Sequence, residues 1–288
     1  MMNITGKTKV CALIGDPIEH TMSPAMHNAA YQKLGLDFIY LPFRVKSEQL
    51  PQAVAGFRAL SVRGFNVTIP HKVAVIPLLD SLDPLAEKIG AVNTVVNDNG
   101  KLKGYNTDAE GFLHALTASG FKPKAKSAVV LGAGGASRAI SYILVKEGVN
   151  LTILNRAQEL DWANDIARLI RKELGKEVKV LDLVDLAGAL TGADLLVNAT
   201  SVGMSPSDNV SPVPANLLTK APLVFDIVYN PIKTKLLEDA AVVGAKTIGG
   251  VDMLAWQGAL AFEKWTGEKA PIDLMRAEAV NMLEQHEN

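Results

Sequence analysis

The sequence predicts an α/β fold of two domains, each built on a mostly parallel sheet, the second of Rossmann-like type. Three observations carry this. Apolar runs alternate with amphipathic segments along most of the chain, an Asn-Gly hairpin interrupts the alternation, and a glycine-rich strand-to-helix turn opens a second alternating series. At 288 residues the chain also exceeds what one core usually organises.

The first series starts with the strand KVCALIG, followed by a helix from Pro24 to Leu34, the strand FIYLPFRV, a helix from Glu48 to Leu60 and the strand GFNVTIP. AVNTVVNDNGKLKGYNTD departs from that rhythm, because Asn99-Gly100 between two β-rich runs is the composition of a two-residue hairpin turn. The first unit closes near Asp108. A helix over about Thr107 to Ser119 and the lysine-rich connection KPKAKS lead into the second series, with strands SAVVLG, NLTILN, KVLDL, ADLLVNA and LVFDIVY and helices between them. Two helices finish the chain, Gly250 to about Thr266 and Pro271 to Glu284. Periodicity alone leaves open which domain they join.

Composition narrows the function classes. Apolar residues make up 48% and charged residues 20%, the balance of a chain with a packed core. With 29 basic and 30 acidic residues the net charge is close to zero, which argues against a polyanionic partner, so no nucleic acid is expected. The single cysteine, Cys11, lies in an apolar run and reads as a small core residue. The uncharged run Val10 to Gly15 is too short for a signal-peptide core, and no segment has the length of a membrane span. The expectation is a cytoplasmic protein with a small-molecule substrate and no membrane partner, monomer or homodimer. The five histidines show no metal-ligand spacing with Cys11, so no metal is expected. Trp162, Trp256 and Trp265 fall at helical positions and read as packing residues.

VVLGAGGASRA places Gly132, Gly134 and Gly135 between a strand and a helix, where glycines permit a tight turn and backbone N–H groups can approach a pyrophosphate. Ser137 stands at the third glycine position and, without triad context, reads as a turn residue rather than a nucleophile. The next strand ends on Asn155 and Arg156, where an NAD-binding domain usually keeps an acidic residue. A guanidinium suits a 2'-phosphate, which favours NADP; Glu159 and Asp161 close behind could meet a free ribose and keep NAD open.

GFNVTIPHK raises a separate question, since strand alternation puts Asn66, Thr68 and Pro70 on one face. Buried polar groups there must either line a cleft or form an internal network. Lys72 follows at the carboxyl end, the edge where open α/β sheets bind ligands. GAVNT supplies Asn93, and GYNTD supplies Asn106 and Asp108. A lysine and an aspartate brought together at a cleft can serve as an acid/base pair on a hydroxyl. Desolvation favours a lysine's neutral amine and a neighbouring carboxylate favours its ammonium, and the residues alone leave that balance open. His71 points away from Lys72 and reads as structural.

GDPIEHTMSPAMHNAA, NVTIPHK, GAVNT, GYNTDAEGF, GAGGASRA, NR, NATSVGM, DIVYNP and GVDMLAWQGALAFEKWTG, nine ordered segments over almost the whole chain, resemble the shikimate dehydrogenase family, which includes quinate/shikimate dehydrogenases. The resemblance implies an NADP-dependent reduction of 3-dehydroshikimate to shikimate, in the pathway to chorismate and the aromatic amino acids. It implies Lys72 and Asp108 as the catalytic pair and Thr21, Ser23, Thr68, Asn93, Tyr229 and Gln257 as substrate-binding residues. The cofactor would be held by Gly132, Ala133, Gly134, Gly135 and Ala136, by Asn155 and Arg156 at the adenosine end, and by Thr200, Ser201, Val202, Gly203, Gly250 and Met253 near the nicotinamide. By the same resemblance residues 1–108 plus 250–288 form the substrate-binding and catalytic domain and 109–249 the dinucleotide-binding domain.

Two departures bear on specificity. Thr21 stands where the family usually has serine, which touches the choice between shikimate and quinate. Ala157 and Leu160 stand where NADP-specific members often carry a threonine and a second basic residue. The rival readings are a quinate/shikimate dehydrogenase using NAD or both cofactors, a folate-linked dehydrogenase on a similar plan, and, in another class, a non-catalytic dinucleotide sensor.

Overall fold

The computed structural model describes residues 4–220 and 222–287, with the side chains of Lys220, His286 and Glu287 outside the described set. The chain divides into two compact units, Met1–Thr107 with Ala255–His286, and Asp108–Leu254.

The first unit contains β1 (Lys9–Gly15), α1 (Ser23–Lys33), β2 (Phe38–Arg44), α2 (Leu50–Ala59), β3 (Gly64–Val67), β4 (Ser81–Leu82), α3 (Pro84–Ile89), β5 (Thr94–Asp98) and β6 (Lys101–Tyr105). These strands form one sheet in the order β2-β1-β3-β5-β6-β4. β1 pairs in parallel with both β2 and β3, and β5 and β6 form an antiparallel hairpin against β3. Asn99 and Gly100 turn that hairpin with φ of 52° and 87°, the left-handed geometry that Asn-Gly accommodates at low steric cost. One core cluster unites Ile14, Val54, Phe57, Phe65, Val67, Val92 and Val95.

α4 (Thr107–Ala118) leads into the second unit: β7 (Ser127–Leu131), α5 (Gly135–Lys146), β8 (Asn150–Asn155), α6 (Leu160–Leu174), β9 (Lys179–Asp182), α7 (Leu186–Ala189), β10 (Leu195–Asn198), β11 (Leu223–Asp226), α8 (Lys235–Val242) and β12 (Lys246–Ile248). Its sheet runs β12-β11-β10-β7-β8-β9 with every recorded pairing parallel. Strands such as SAVVL and LLVN are almost wholly buried, as a sheet covered on both faces requires.

α9 (Gly250–Thr266) and α10 (Ile272–Glu287) end the chain. Within the first unit, the Trp265 indole of α9 donates to the Val95 carbonyl at 2.9 Å, and Arg63 Nε donates to the Trp265 carbonyl at 2.9 Å. Gly64 makes room for that indole: a Cβ there would overlap Trp265 Nε1 and lie 2.5 Å from Val95 O.

Three expectations need correction. The strand over GFNVTIP stops at Val67, so Thr68 and Pro70 do not continue the face of Asn66. Two short strands, β4 and β12, were invisible to pattern reading because two or three residues show no period. Trp162 is not a packing residue; its side chain is 56% exposed on α6, whereas Trp265 is 1% exposed as expected.

Candidate active site

The topology of the first sheet sets Thr21, Ser23, Thr68 and Asn93 of the predicted substrate residues at one edge, whereas Tyr229 belongs to the second unit. β1 and β3 run in parallel and end there; β5 is reversed and begins there; β6, reversed again, ends there. Thr21 and Ser23 follow β1, Thr68 and Lys72 follow β3, Asn93 immediately precedes β5, and Thr107 and Asp108 follow β6.

Short hydrogen bonds fix this edge. Thr68 N–H donates to Ile14 O at 2.9 Å, His71 N–H to Thr68 O at 2.9 Å, and Val92 N–H to Lys72 O at 2.8 Å. The loop bearing Lys72 is thereby tied to the backbone next to Asn93. His71 is 1% exposed, and its Nε2 lies 2.6 Å from Val45 O, a structural contact that agrees with the sequence reading. Thr21 Oγ1 accepts the Ser23 N–H at 3.3 Å at the entrance to α1.

Asn93 is the hub. Its Oδ1 accepts the Thr107 N–H at 2.7 Å, and its Nδ2 donates to Thr107 Oγ1 at 2.9 Å and reaches Gln257 Oε1 at 3.5 Å. Asn66 lies behind it, only 5% exposed, and answers the question its strand raised: it belongs to an internal network. Its Oδ1 accepts the Tyr40 hydroxyl at 2.7 Å, and its Nδ2 donates to Asn93 O at 3.1 Å and Thr94 Oγ1 at 3.0 Å. Burial holds the Tyr40 hydroxyl pKa well above the usual tyrosine value. Asn106 turns inward instead, donating to Ala91 O at 3.0 Å. Asp108 is buried in the first turn of α4, next in sequence to Thr107. Sequence reasoning missed Tyr40 and Thr107. Thr107 stood inside GYNTD and was passed over for its charged neighbour, while nothing local marks Tyr40.

The second unit presents a different set at the carboxyl ends of its parallel strands, the ligand edge of such sheets. After β7, Gly132 adopts φ +93°, and a Cβ there would sit 2.7 Å from Thr200 Cγ2. Gly134 is exposed with open space where its Cβ would be, and α5 starts at Gly135. Ala133 and Ala136 flank these positions with small side chains. Bare backbone at a helix N-terminus, whose first N–H groups have no intrahelical acceptor, fits a pyrophosphate. Ser137 is buried and donates to Gly132 O at 2.6 Å, so the residue at the third glycine position clamps the loop.

At the end of β8, buried Asn155 donates to Glu159 O at 2.8 Å, and exposed Arg156 forms a two-point ion pair with Glu159, Nε to Oε2 being 3.1 Å. Beyond β10, Asn198 Oδ1 accepts from Thr200 N–H at 3.1 Å and Thr200 Oγ1 at 2.6 Å, and Asn198 Nδ2 donates to Val202 O at 3.2 Å. Asn198 also donates to Asp226 Oδ1 at 2.9 Å, and Thr234 Oγ1 donates to Asp226 Oδ2 at 2.6 Å. Burial pushes the Asp226 carboxyl up to about 6. These buried residues hold the loop of Thr200, Ser201, Val202 and Gly203, and pattern reading missed Asn198 and Asp226 as supports. Gly203 has φ +89° with Val210 O 3.0 Å from its would-be Cβ. Tyr229 follows β11, partly buried with its hydroxyl pKa raised by desolvation. Gly250 and Met253 are buried in the first turn of α9, where a Gly250 Cβ would overlap Ile227 O. A groove lined by Ser127, Asn150, Thr152 and Gly192 opens at the opposite edge of this sheet and is no part of the set.

Three family models cover most of the chain. Shikimate dehydrogenase substrate binding domain matches residues 13–95, Shikimate / quinate 5-dehydrogenase matches 115–238, and Shikimate 5'-dehydrogenase C-terminal domain matches 250–279. The shikimate dehydrogenase (NADP(+)) of Desulforamulus reducens is 49% identical over 278 residues, 95% of each chain. The chain belongs to the shikimate dehydrogenase family. A crystal structure of a shikimate dehydrogenase in complex with NADP+ is 43% identical with a TM-score of 0.91, covering 97% of both chains. The shikimate 5-dehydrogenase of Listeria monocytogenes, solved with shikimate and NAD, is 40% identical with a TM-score of 0.89, covering 96% of this chain and 98% of that one. Family membership accords with the mostly parallel two-sheet α/β architecture read from sequence. Among the described residues no helix is long and apolar enough to cross a membrane.

Proposed function

We propose that this chain catalyses the reversible NADP-dependent reduction of 3-dehydroshikimate to shikimate. The observation that carries the reading is the polar edge of the first sheet, where Asn93 bonds Thr107 and reaches Gln257 beside the loop of Lys72. Such a set suits a ring carrying several hydroxyls, because each amide and hydroxyl can both donate and accept. In this reading Thr21 and Ser23 receive the carboxylate, and Thr68, Asn93, Gln257 and Tyr229 receive substrate oxygens. Lys72 and Asp108 exchange the proton of the reacting hydroxyl, taking it up on oxidation and returning it on reduction. Bound at Gly132 to Ala136, Asn155 and Arg156, with the nicotinamide against Thr200 to Gly203, Gly250 and Met253, the cofactor supplies the hydride acceptor or donor. Oxidation would break the carbinol C–H and O–H bonds and form C=O, the hydride passing to the cofactor and the proton to the Lys72/Asp108 pair.

In the same reading, residues 1–108 plus 250–288 recognise substrate and 109–249 the dinucleotide. The protein works in the cytoplasm as a monomer or homodimer on a freely diffusing small acid. A second reading, a quinate/shikimate dehydrogenase using NAD or both cofactors, is favoured by the carboxylate of Glu159 at the adenosine end.

The test is kcat/KM in a two-by-two grid, shikimate or quinate against NADP or NAD, because discrimination resides in that ratio. The expected result is shikimate with NADP ahead. Comparable quinate turnover, or NADP trailing NAD, would establish the second reading instead. Lys72→Ala should abolish turnover while leaving nucleotide binding intact; retained turnover would remove Lys72 from the chemistry.

A further inference from the structure

The turn after β8 holds more than an exposed arginine. Glu159 is fixed from three sides: its N–H donates to Arg156 O at 2.8 Å, its carbonyl accepts buried Asn155 Nδ2 at 2.8 Å, and its carboxylate takes two donors of Arg156. The Arg156 side chain is 66% exposed and that of Glu159 only 24%, so the carboxylate is the anchored partner and the guanidinium the presented one. Fork-to-carboxylate pairing of this kind is directional and occupies the Nε–Nη2 edge of the guanidinium, one of the two edges by which it can bind a phosphate. Ala157, Gln158 and Leu160 add no second cation to the turn, and Asp161 follows with a further negative charge. The turn therefore offers an electrically balanced pair where a strand-end acidic residue would normally meet ribose.

A 2'-phosphate, carrying between one and two negative charges, would either displace Glu159 from the Nε–Nη2 edge of Arg156 or approach by Nη1, and in both cases it would lie near the Glu159 carboxylate. A ribose 2'-hydroxyl instead brings a donor that a carboxylate accepts. Resting on the dinucleotide reading above, we infer that Glu159 is a specificity-determining residue that narrows the preference for NADP over NAD by holding Arg156 and repelling the 2'-phosphate. Glu159 touches the cofactor's 2'-substituent or acts on it through Arg156, and in both cases its charge is the active property.

Binding of NADP+ and NAD+ to the full chain, measured by titration calorimetry without substrate, isolates the effect, since the two ligands differ only at the 2'-position. Glu159→Gln keeps the shape and removes the charge. It should raise the NADP+ to NAD+ affinity ratio about tenfold at low salt, with the gain shrinking as ionic strength rises. Glu159→Asp retains the charge and should stay much closer to the wild-type ratio than the glutamine variant does. A glutamine variant whose ratio stays within twofold of wild type, or falls, overturns the inference, as does a gain indifferent to salt. If the wild-type protein binds neither dinucleotide, the dinucleotide reading itself fails and takes the inference with it.

Discussion

Replacing Asp226 with Asn should change how stability depends on pH, by an amount that its surroundings specify. The carboxyl is fully buried, accepting from Thr234, Asn198 and Val228 N–H, yet desolvation prevails and raises its pKa from 3.8 to about 6. A group whose folded pKa lies above its unfolded value stabilises the fold fully below the unfolded pKa and loses that contribution as pH rises through the folded one. The whole difference corresponds to about 3 kcal/mol, of which about 1.4 kcal/mol falls between pH 5 and pH 7.5. Asparagine has no such titration, and any change in its hydrogen bonding is a constant offset. Denaturant unfolding of both proteins at several pH values would read the difference between them. The wild type should lose about 1.4 kcal/mol relative to Asp226→Asn from pH 5 to pH 7.5. A difference that is flat across that range, or that moves in favour of the wild type, would refute the claim that burial outweighs the three donors.

Three further outcomes follow from the geometry. Asn66→Leu removes the acceptor of the Tyr40 hydroxyl and one of two donors to the Asn93 carbonyl, which keeps the Val67 N–H, and should cost about 1–3 kcal/mol in chemical unfolding, together with a raised KM for shikimate; a loss under about 0.5 kcal/mol would mean the network is dispensable. Gly132→Val forces a branched residue to φ +93° against Thr200 and should weaken dinucleotide binding at least tenfold in a fluorescence titration, a result that unaltered affinity would contradict. Thr21→Ser, which removes one methyl at the entrance to α1, should shift the quinate-to-shikimate ratio of kcat/KM by several fold; an unchanged ratio would show that the methyl does not face the ring.

Much of this architecture is written in local chemistry. The Asn99-Gly100 turn, the parallel strands of the second sheet and the glycine turn before α5 all follow from residues within a few positions of one another. What stayed hidden depends on partners distant in sequence. Asn66 reads as either a cleft residue or a network residue until Tyr40 and Asn93 are seen around it. Helical spacing alone made Trp162 and Trp265 look equivalent, although one is exposed and the other donates to Val95. The third glycine position appeared defective until the Ser137 hydroxyl was found on Gly132 O. The Arg156 charge was legible, but its engagement by Glu159 required coordinates.

The β5–β6 hairpin also sets a rule for how this protein can vary. Asn93 and Thr107 meet because the chain leaves the polar edge on one strand, reverses at Asn99-Gly100 and returns on another of equal length. The turn thus acts as a remote ruler. Residues added to the turn itself would leave the meeting point undisturbed, and so would matched additions to both arms. One residue added to a single arm would slide the register, exchange inward for outward side chains along that arm and carry Thr107 away from its amide. Tolerance to insertion here is a matter of parity, decided at the far end of the sheet.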